Sequence, residues 1–319
     1  MKHKSSRFYS KLSIGIFLAL LCFFTFGQSS LDINWRENSS EITNNLIHEE
    51  EGENRLLQNK LNGFNSETVS LVSWNIQDLG RSKSSESIYE IANILRDFDV
   101  VAIQEVVAKD PAGAQAIAKI ADELNRMGAK WDYQISNPTK SPSVYMSERY
   151  AFLWKTSKVT IVHKAYLDDD LKDLCYREPY IGAFRVKGKN EQFYVVNYHS
   201  RKYDDKPEEE IVHFINYPER FLSNKILIAG DFNLNERNKV WKPFYNIGFK
   251  SALNNEATTL KRTCLNGSYR NHDIDNIYFA AGIELITSGI VDFVKTCVAL
   301  KGARKISDHL PVYLEFKVM

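Results

Sequence analysis

The chain has 319 residues, of which 44% are hydrophobic and 25% charged, and its formal net charge is +1. These proportions are ordinary for a soluble globular protein and supply enough apolar material for a sizeable core. The near-neutral charge excludes a protein that holds a polyanion through an overall basic excess. Such a partner would need local positive charge or a metal ion.

The N-terminus has the pattern of a secretory signal peptide. A basic start precedes an almost unbroken apolar run from Leu12 to Phe24, and small residues then indicate cleavage before Gln28. The run is shorter than the ~20 residues that a bilayer span needs. This favours a cleaved signal over residues 1–27 rather than an uncleaved anchor. We therefore expect a secreted, extracellular protein, with a periplasmic location as the other exported possibility.

Residues 28–66 are rich in Asn, Ser and Glu. Apolar positions are sparse between Glu41 and Leu61, so a helix is a poor interpretation and a disordered tail or linker is expected. The folded domain is predicted from residue 67 to residue 319.

Beyond Thr68, apolar runs of strand length follow one another. Several are apolar at every position, which is typical of strands buried on both faces. The predicted strands are Val69–Trp74, Val100–Gln104, Ala151–Trp154, Tyr180–Val186, Phe193–Tyr198, Ile226–Ala229, Ile274–Ala280, Leu285–Phe293 and Leu310–Phe316.

Helices are predicted between the strands. Apolar residues recur at helical spacing over Ser87–Arg96 and Ala114–Met127, and Glu208–Phe221 is a third candidate. Sheets buried on both faces by helical layers follow from this pattern, and a single domain fits best.

Removal of the signal would leave Cys175, Cys264 and Cys297. In an exported protein an odd count permits one disulfide and one free thiol, and all three pairings stay open. The wide spacing resembles no zinc site.

Polar residues stand where the predicted strands end, and strand ends are where open sheets place ligand sites. Any one of them alone is more commonly a turn or capping residue, and a single histidine is more commonly part of a core. Together they form a set with a shared chemistry. The set comprises Asn75, Glu105, His199, Asp231, Asn233, Asp308 and His309.

The oxygen-bearing members of this set are hard ligands, which suit magnesium, calcium or manganese rather than zinc. The two histidines titrate near neutral pH and can give or take a proton. This combination suits hydrolysis of a phosphate ester. The metal neutralises charge on the phosphoryl oxygens, one imidazole activates water, and another group protonates the leaving oxygen.

Four motifs follow one another along the chain: Ser73–Ile76, Ile103–Val106, Gly230–Asn233 and Ile306–Val312. With these motifs in this order, the chain resembles the endonuclease–exonuclease–phosphatase superfamily, and within it the deoxyribonuclease I branch, over about Ser70–Val318. The branch motifs are Ser147–Phe152, Tyr176–Pro179 and Asp273–Ile277. The resemblance implies an α/β fold, a four-layer α/β sandwich in which two mixed β-sheets pack face to face with helices outside.

The resemblance also implies a catalytic metal ion and groups around it. Glu105, with Asn75 and Asp308, would hold Mg²⁺ or Mn²⁺ against the scissile phosphate. Asp231 and Asn233 would position the attacking water and the phosphate oxygens. Ca²⁺ in a structural role is implied as well.

Acid–base chemistry is implied for the two histidines. His309 would be the general base and His199, oriented by Glu148, the general acid, although the two roles are easily interchanged. Asp275 would be the partner of His199 or of His309.

Contacts to DNA are implied for Arg177, Tyr145 and Lys109. The chain departs from the branch around them. Tyr145 lies three residues before the orienting glutamate instead of two, Val107 replaces an arginine near Lys109, and Gln77 replaces another arginine. These departures change the grip on DNA and leave the hydrolytic residues in place.

The implied function is a secreted, metal-dependent endonuclease that cuts DNA with little sequence specificity, as a monomer without a stable protein partner or membrane association. One alternative is a secreted phospholipid phosphodiesterase or phosphatase, similar to sphingomyelinases. Against inositol phosphatases stands Leu234-Asn235-Glu236, where that group has Asn-Tyr-Arg. Another alternative is an inactive binding or toxin subunit. Export argues against an abasic-site repair enzyme.

Overall fold

The computed structural model describes residues 67–319, so the predicted signal peptide (1–27) and tail (28–66) lie outside the described residues. The strands are β1 (Val69–Leu79), β2 (Val100–Val107), β3 (Trp131–Ile135), β4 (Glu148–Lys155), β5 (Val159–Ile161), β6 (Tyr166–Leu167), β7 (Tyr180–Val186), β8 (Gln192–His199), β9 (Ile226–Asp231), β10 (Lys250–Ser251), β11 (Leu260–Leu265), β12 (Ser268–Arg270), β13 (Asp275–Phe279), β14 (Ile283–Ile290) and β15 (Val312–Val318).

Short helices and two longer ones connect the strands. The α-helices are α1 (Ser85–Leu95), α2 (Ala112–Arg126), α3 (Glu208–Ile211), α4 (Tyr217–Phe221), α5 (Lys242–Asn246) and α6 (Leu300–Ile306), and 3-10 helices span Asp169–Leu171, Tyr203–Asp205, Val212–Asn216 and Lys239–Trp241. None of the helices within residues 67–319 is both long and apolar enough to cross a bilayer.

Two sheets are formed. The first has the strand order β14-β15-β1-β2-β4-β3, and the second has the order β10-β13-β9-β8-β7-β5 with β6 also paired to β7. Both sheets are mixed, because β1 and β2 are parallel in the first and β8 and β9 are parallel in the second, while the other pairs are antiparallel. Strands β11 and β12 form a separate hairpin.

The sheets pack face to face, and helices cover their outer faces. Alternate strand residues point to opposite faces, so Leu71 of β1 joins the core between the sheets while Val72 packs against α1 and α2. In the same way Val195 of β8 faces the first sheet, and Val196 packs with the α3–α5 region. The four-layer α/β sandwich is therefore confirmed, and the two-sided burial explains why so many strands are apolar throughout.

Several predicted boundaries were wrong. The third predicted helix is divided into α3, a 3-10 segment and α4, since Pro218 lacks a backbone N–H and interrupts a continuous helix. The last strand begins at Val312 rather than at Leu310, because Pro311 cannot donate to the ladder.

The β11–β12 hairpin was not predicted from the sequence. Its turn is Asn266-Gly267, with φ of 51° and 77°. An Asn-Gly pair at positive φ is typical of tight hairpins, so the signal was present in the sequence. A disulfide joins Cys264 of β11 to Cys297, with 5.6 Å between their Cα atoms, and Cys175 is buried as a free thiol. This settles the pairing that the sequence left open.

Gly230 lets the two strands that carry His199 and Asp231 approach each other. It pairs with Tyr198 across β8 and β9. A Cβ atom on Gly230 would lie 1.7 Å from the carbonyl oxygen of Tyr198. A side chain at this position would therefore force the two strands apart.

We expect Gly230→Ala to lower the free energy of unfolding by about 2–3 kcal/mol, the cost of overpacking. Gly302→Ala is the matched control, because a Cβ there meets no atom of the described residues within 4 Å and replacement of a helical glycine by alanine gains roughly 0.5–1 kcal/mol. Urea unfolding of both variants measures the difference. Equal stabilities of the two variants would contradict the close approach at Gly230.

Candidate active site

The core between the sheets changes from apolar to polar at one end of the strands. Residues two positions apart share a strand face. Along β8 the inward residue Val195 is followed by Asn197 and His199, and along β9 Ala229 is followed by Asp231, all of them buried. The alternation therefore gathers the polar strand ends from both sheets in one place.

Beneath the site, a buried amide layer joins the two sheets. The Nε2 of Gln104 donates to Asn197 Oδ1 at 2.6 Å and to Ser73 Oγ at 3.1 Å. The Nδ2 of Asn197 in turn donates to the carbonyls of Ile103 and Ala151 at 3.1 and 3.2 Å. Neither Gln104, which lies within the motif Ile103–Val106, nor Asn197 was predicted as a site residue, although both are polar positions within apolar runs.

Asp231 lies at the centre of the site with 2% of its surface exposed. Its Oδ2 accepts a hydrogen bond from Asn75 Nδ2 at 3.1 Å and lies 3.6 Å from His199 Nε2 and 3.8 Å from His309 Nε2. Its Oδ1 accepts from the backbone N–H of Asn233 at 3.0 Å. One carboxylate thus faces both imidazoles.

His199 is held by Glu148, the residue predicted to orient it. The His199 Nδ1 lies 3.0 Å from Glu148 Oε2, and its backbone N–H donates to Tyr150 Oη at 3.1 Å. Burial alone would raise the pKa of Glu148, but the charges on His199 and Arg177 outweigh it and hold that pKa below its usual value. Burial alone would lower the pKa of His199, but the charge of Glu148 raises it.

His309 has its own carboxylate, Asp275. Its Nδ1 lies 2.9 Å from Asp275 Oδ2, which also accepts from Thr258 Oγ1 at 2.6 Å. Burial alone would lower the pKa of His309, but the charges of Asp275 and Asp231 raise it to about 10. The structure thus places Asp275 with His309 rather than with His199. Thr258 was not recognised in the sequence, where Thr258-Thr259 gives no distinctive signal.

Ser307 connects the two segments that carry Asn75 and His309. Its Oγ donates to the carbonyl of Asn75 at 2.7 Å and accepts from the backbone N–H of His309 at 3.0 Å. The indole N–H of Trp74 also donates to the carbonyl of His309, at 2.9 Å. The first and last strands of the domain are thereby locked together at the site.

Two of the three predicted metal ligands are in contact. Asn75 Nδ2 donates to Glu105 Oε1 at 3.0 Å, and Glu105 Oε2 accepts from the backbone N–H of Asp78 at 3.1 Å. The Asp308 carboxylate lies 3.7 Å from Arg304 Nη2, and no hydrogen bond joins it to Asn75 or Glu105 within the described residues.

The backbone at these loops is strained. Asp78, Glu105 and Asn233 have φ of 50°, 61° and 51°, a region that residues other than glycine rarely adopt. Glu105 lies where the pairing of β2 with β1 and β4 shifts register. Strain of this kind is concentrated at functional sites, where the surroundings hold it in place. The bulge turns the Glu105 side chain away from the regular alternation of β2.

The donor set fits a divalent cation. Asn75 Oδ1 is buried without a hydrogen-bond partner among the described residues, and a carboxylate lies beside the same amide. Asp231, Asp275 and His309 form a further cluster whose ligand atoms all lie within 4.8 Å of one another. Oxygen donors predominate in both groups, which suits magnesium or manganese.

The three predicted DNA contacts line a cavity of about 210 Å³ that also touches Glu105, Glu148 and His199. Tyr145 is 83% exposed, and Lys109 Nζ lies 5.6 Å from the centre of its ring. The side chain of Arg177 is less exposed to solvent than a charged side chain on a solvated loop would be. It forms an ion pair with Glu148 at 3.0 Å and donates to the carbonyl of Ser200 at 2.8 Å.

Comparisons with known proteins agree with this geometry. The profile of the Endonuclease/Exonuclease/phosphatase family matches residues 72–309. A deoxyribonuclease of Thioalkalivibrio sp. (strain K90mix) is 31% identical over 268 residues, which cover 77% of this chain and 70% of that protein. Deoxyribonuclease-1-like 1 of Sus scrofa is 26% identical over 263 residues, covering 78% of this chain and 81% of that protein.

Solved structures show the same fold. An endonuclease/exonuclease/phosphatase from Bacteroides vulgatus superposes with a TM-score of 0.57 at 14% identity, covering 79% of this chain and 99% of that one. The profile match extends over most of the described residues, and the four sequence motifs meet at the site. The chain therefore belongs to the endonuclease/exonuclease/phosphatase family.

Proposed function

We propose that this protein is a secreted, divalent-metal-dependent endonuclease that hydrolyses DNA phosphodiester bonds with little sequence specificity. The observation that carries the proposal is the pair of carboxylate–histidine dyads whose Nε2 atoms face Asp231. Membership of the family makes the chain a hydrolase of the nuclease and phosphatase superfamily. The deoxyribonuclease names of its relatives support DNA as the substrate.

The dyads suit an acid–base pair acting on one phosphodiester. Each imidazole uses Nδ1 toward its carboxylate, which leaves Nε2 free for the substrate. The neighbouring carboxylates raise the pKa of His309, and the positive charge of a bound cation would oppose that effect and favour its neutral form. In the proposed reaction the neutral His309 Nε2 takes a proton from water as the water oxygen bonds to phosphorus. His199 Nε2 gives a proton to the leaving oxygen as its bond to phosphorus breaks. Since both Nε2 atoms face the same carboxylate, the two roles can be exchanged without a change in geometry.

Asn75 and Glu105 would hold the catalytic Mg²⁺ or Mn²⁺, and Asp308 is proposed as the third ligand on the resemblance alone. A bound cation supplies positive charge that stabilises the phosphoryl oxygens and offsets the surrounding carboxylates. The Asp231 carboxylate accepts a hydrogen bond from the backbone N–H of Asn233. The remaining lone pairs of its oxygen atoms would orient the attacking water. Structural calcium likewise rests on the resemblance.

Two observations support secretion. The N-terminal segment has the charge and apolar pattern of a cleaved signal. The Cys264–Cys297 disulfide is typical of an oxidising compartment.

We expect His199→Ala and His309→Ala each to lower the rate of plasmid cleavage by at least ~10²-fold, the usual scale of acid–base contributions. His163→Ala is a matched control, because His163 is exposed and its hydrogen bond and ring contact among the described residues are with its neighbours Lys164 and Tyr166. Agarose-gel assays of supercoiled plasmid in the presence of magnesium measure the rates. If the wild-type protein leaves the plasmid intact and hydrolyses sphingomyelin vesicles, the proposed endonuclease is wrong and the protein is a phospholipid phosphodiesterase.

The export proposal predicts a mature protein that begins at Gln28. Expression of the full chain in a secreting bacterial host, followed by intact mass spectrometry of the exported fraction, measures this. Leu20→Arg, which places a charge in the apolar run, should leave the protein in the cytoplasm. Recovery of wild-type protein in the membrane with residues 1–27 attached would instead indicate an anchor.

A further inference from the structure

A second groove opens beside the active site, on the side of His309. It has a volume of about 350 Å³ and shares no residue with the cavity that contains Lys109, Tyr145 and Arg177. The first sheet explains the separation. Glu148 lies on β4 and His309 precedes β15, and the β1–β2 pair stands between these two strands. The two cavities therefore flank the catalytic residues from opposite sides.

The groove has a surplus of positive charge. Lys261, Arg262 and Arg304 line it, with Asp308 as the opposing carboxylate. Arg262 is exposed and has no ion-pair partner among residues 67–319. Within residues 67–319, the hydrogen-bond partner of Lys261 Nζ is the neutral hydroxyl of Ser268, at 3.2 Å. The charges of these two side chains are therefore uncompensated and available to an anion.

The hairpin that carries the two cations is held firmly. The Cys264–Cys297 disulfide fixes β11. Arg304 Nη1 donates to the carbonyl of Leu260 at 2.6 Å. Arg270 Nη2 donates to Asp292 at 2.8 Å from the other strand of the hairpin. Charges on a pre-organised element bind with a smaller entropic cost than charges on a mobile loop.

We propose that the β11–β12 hairpin is a second contact for the nucleic-acid backbone. Lys261 and Arg262 would bind phosphates on the His309 side of the scissile bond, opposite to the contacts made by Lys109, Tyr145 and Arg177. This inference rests on the proposed function and deepens it. The hairpin would distinguish a polymeric substrate, which has phosphates on both sides, from a small phosphodiester that fills the centre alone.

The test is Lys261→Gln/Arg262→Gln, with Lys187→Gln/Lys189→Gln as a control that removes the same charge. Lys187 and Lys189 lie between β7 and β8, at the far end of β8 from His199. We would measure kcat/KM for a duplex DNA and for bis(p-nitrophenyl) phosphate at several salt concentrations. For the hairpin variant, the ratio of the two values should fall about tenfold, and the logarithmic salt dependence for DNA should become less steep by about 2.

Each outcome has a distinct meaning. An unchanged ratio and salt dependence in the hairpin variant would overturn the inference while the proposed function stands. Equal losses on both substrates would also overturn it, since they would indicate distortion of the catalytic centre. Wild-type protein that hydrolyses the small ester and leaves DNA intact would remove the proposed function, and the hairpin contact with it.

Discussion

The buried carboxylate of Asp231 is the constraint on which the rest of the site depends. An uncompensated charge between two sheets would be costly, and four groups from different elements compensate it. The amide of Asn75 and the imidazoles of His199 and His309 face one oxygen, while the N–H of Asn233 binds the other. Compensation of this charge therefore fixes how β1, β8, β9 and the segment before β15 meet. The site is a property of the sheet packing and not of a single loop.

Charge is divided between the centre and its surroundings. The centre is rich in carboxylates, which raise the pKa of both imidazoles and offer oxygen ligands to a cation. The exposed cations stand outside it, with Lys109 on one side and Arg262 on the other. A polyanion would meet positive charge at the flanks, and its phosphate would meet the acidic centre through a metal ion. This division explains how a chain with a formal net charge of +1 could act on DNA.

Apolar runs and helical periodicity were enough to predict nine of the strands, the two longer helices and the polar strand ends, because these features depend on local sequence. The short strands β3, β5, β6, β10, β11 and β12 were not predicted. The partner of Asp275 could not be predicted, since it depends on the register of β13 against β9. The enclosure of Arg177 and the position of Asp308 beside Arg304 depend on loop conformation, which leaves little trace in one sequence. Gln104 and Asn197 were hidden within apolar runs, where only the packed sheets reveal that they contact each other.

The most direct test of the account is the rate of plasmid cleavage as a function of free Mg²⁺ for the wild type and for Glu105→Gln. If Asn75 and Glu105 hold the catalytic ion, a chelator should abolish wild-type cleavage. Loss of the Glu105 charge should raise the half-saturating Mg²⁺ concentration by at least ~10-fold, the scale of a lost ligand interaction. Cleavage at the full rate in excess chelator, or the same Mg²⁺ dependence in both proteins, would contradict a metal-dependent centre built on these residues.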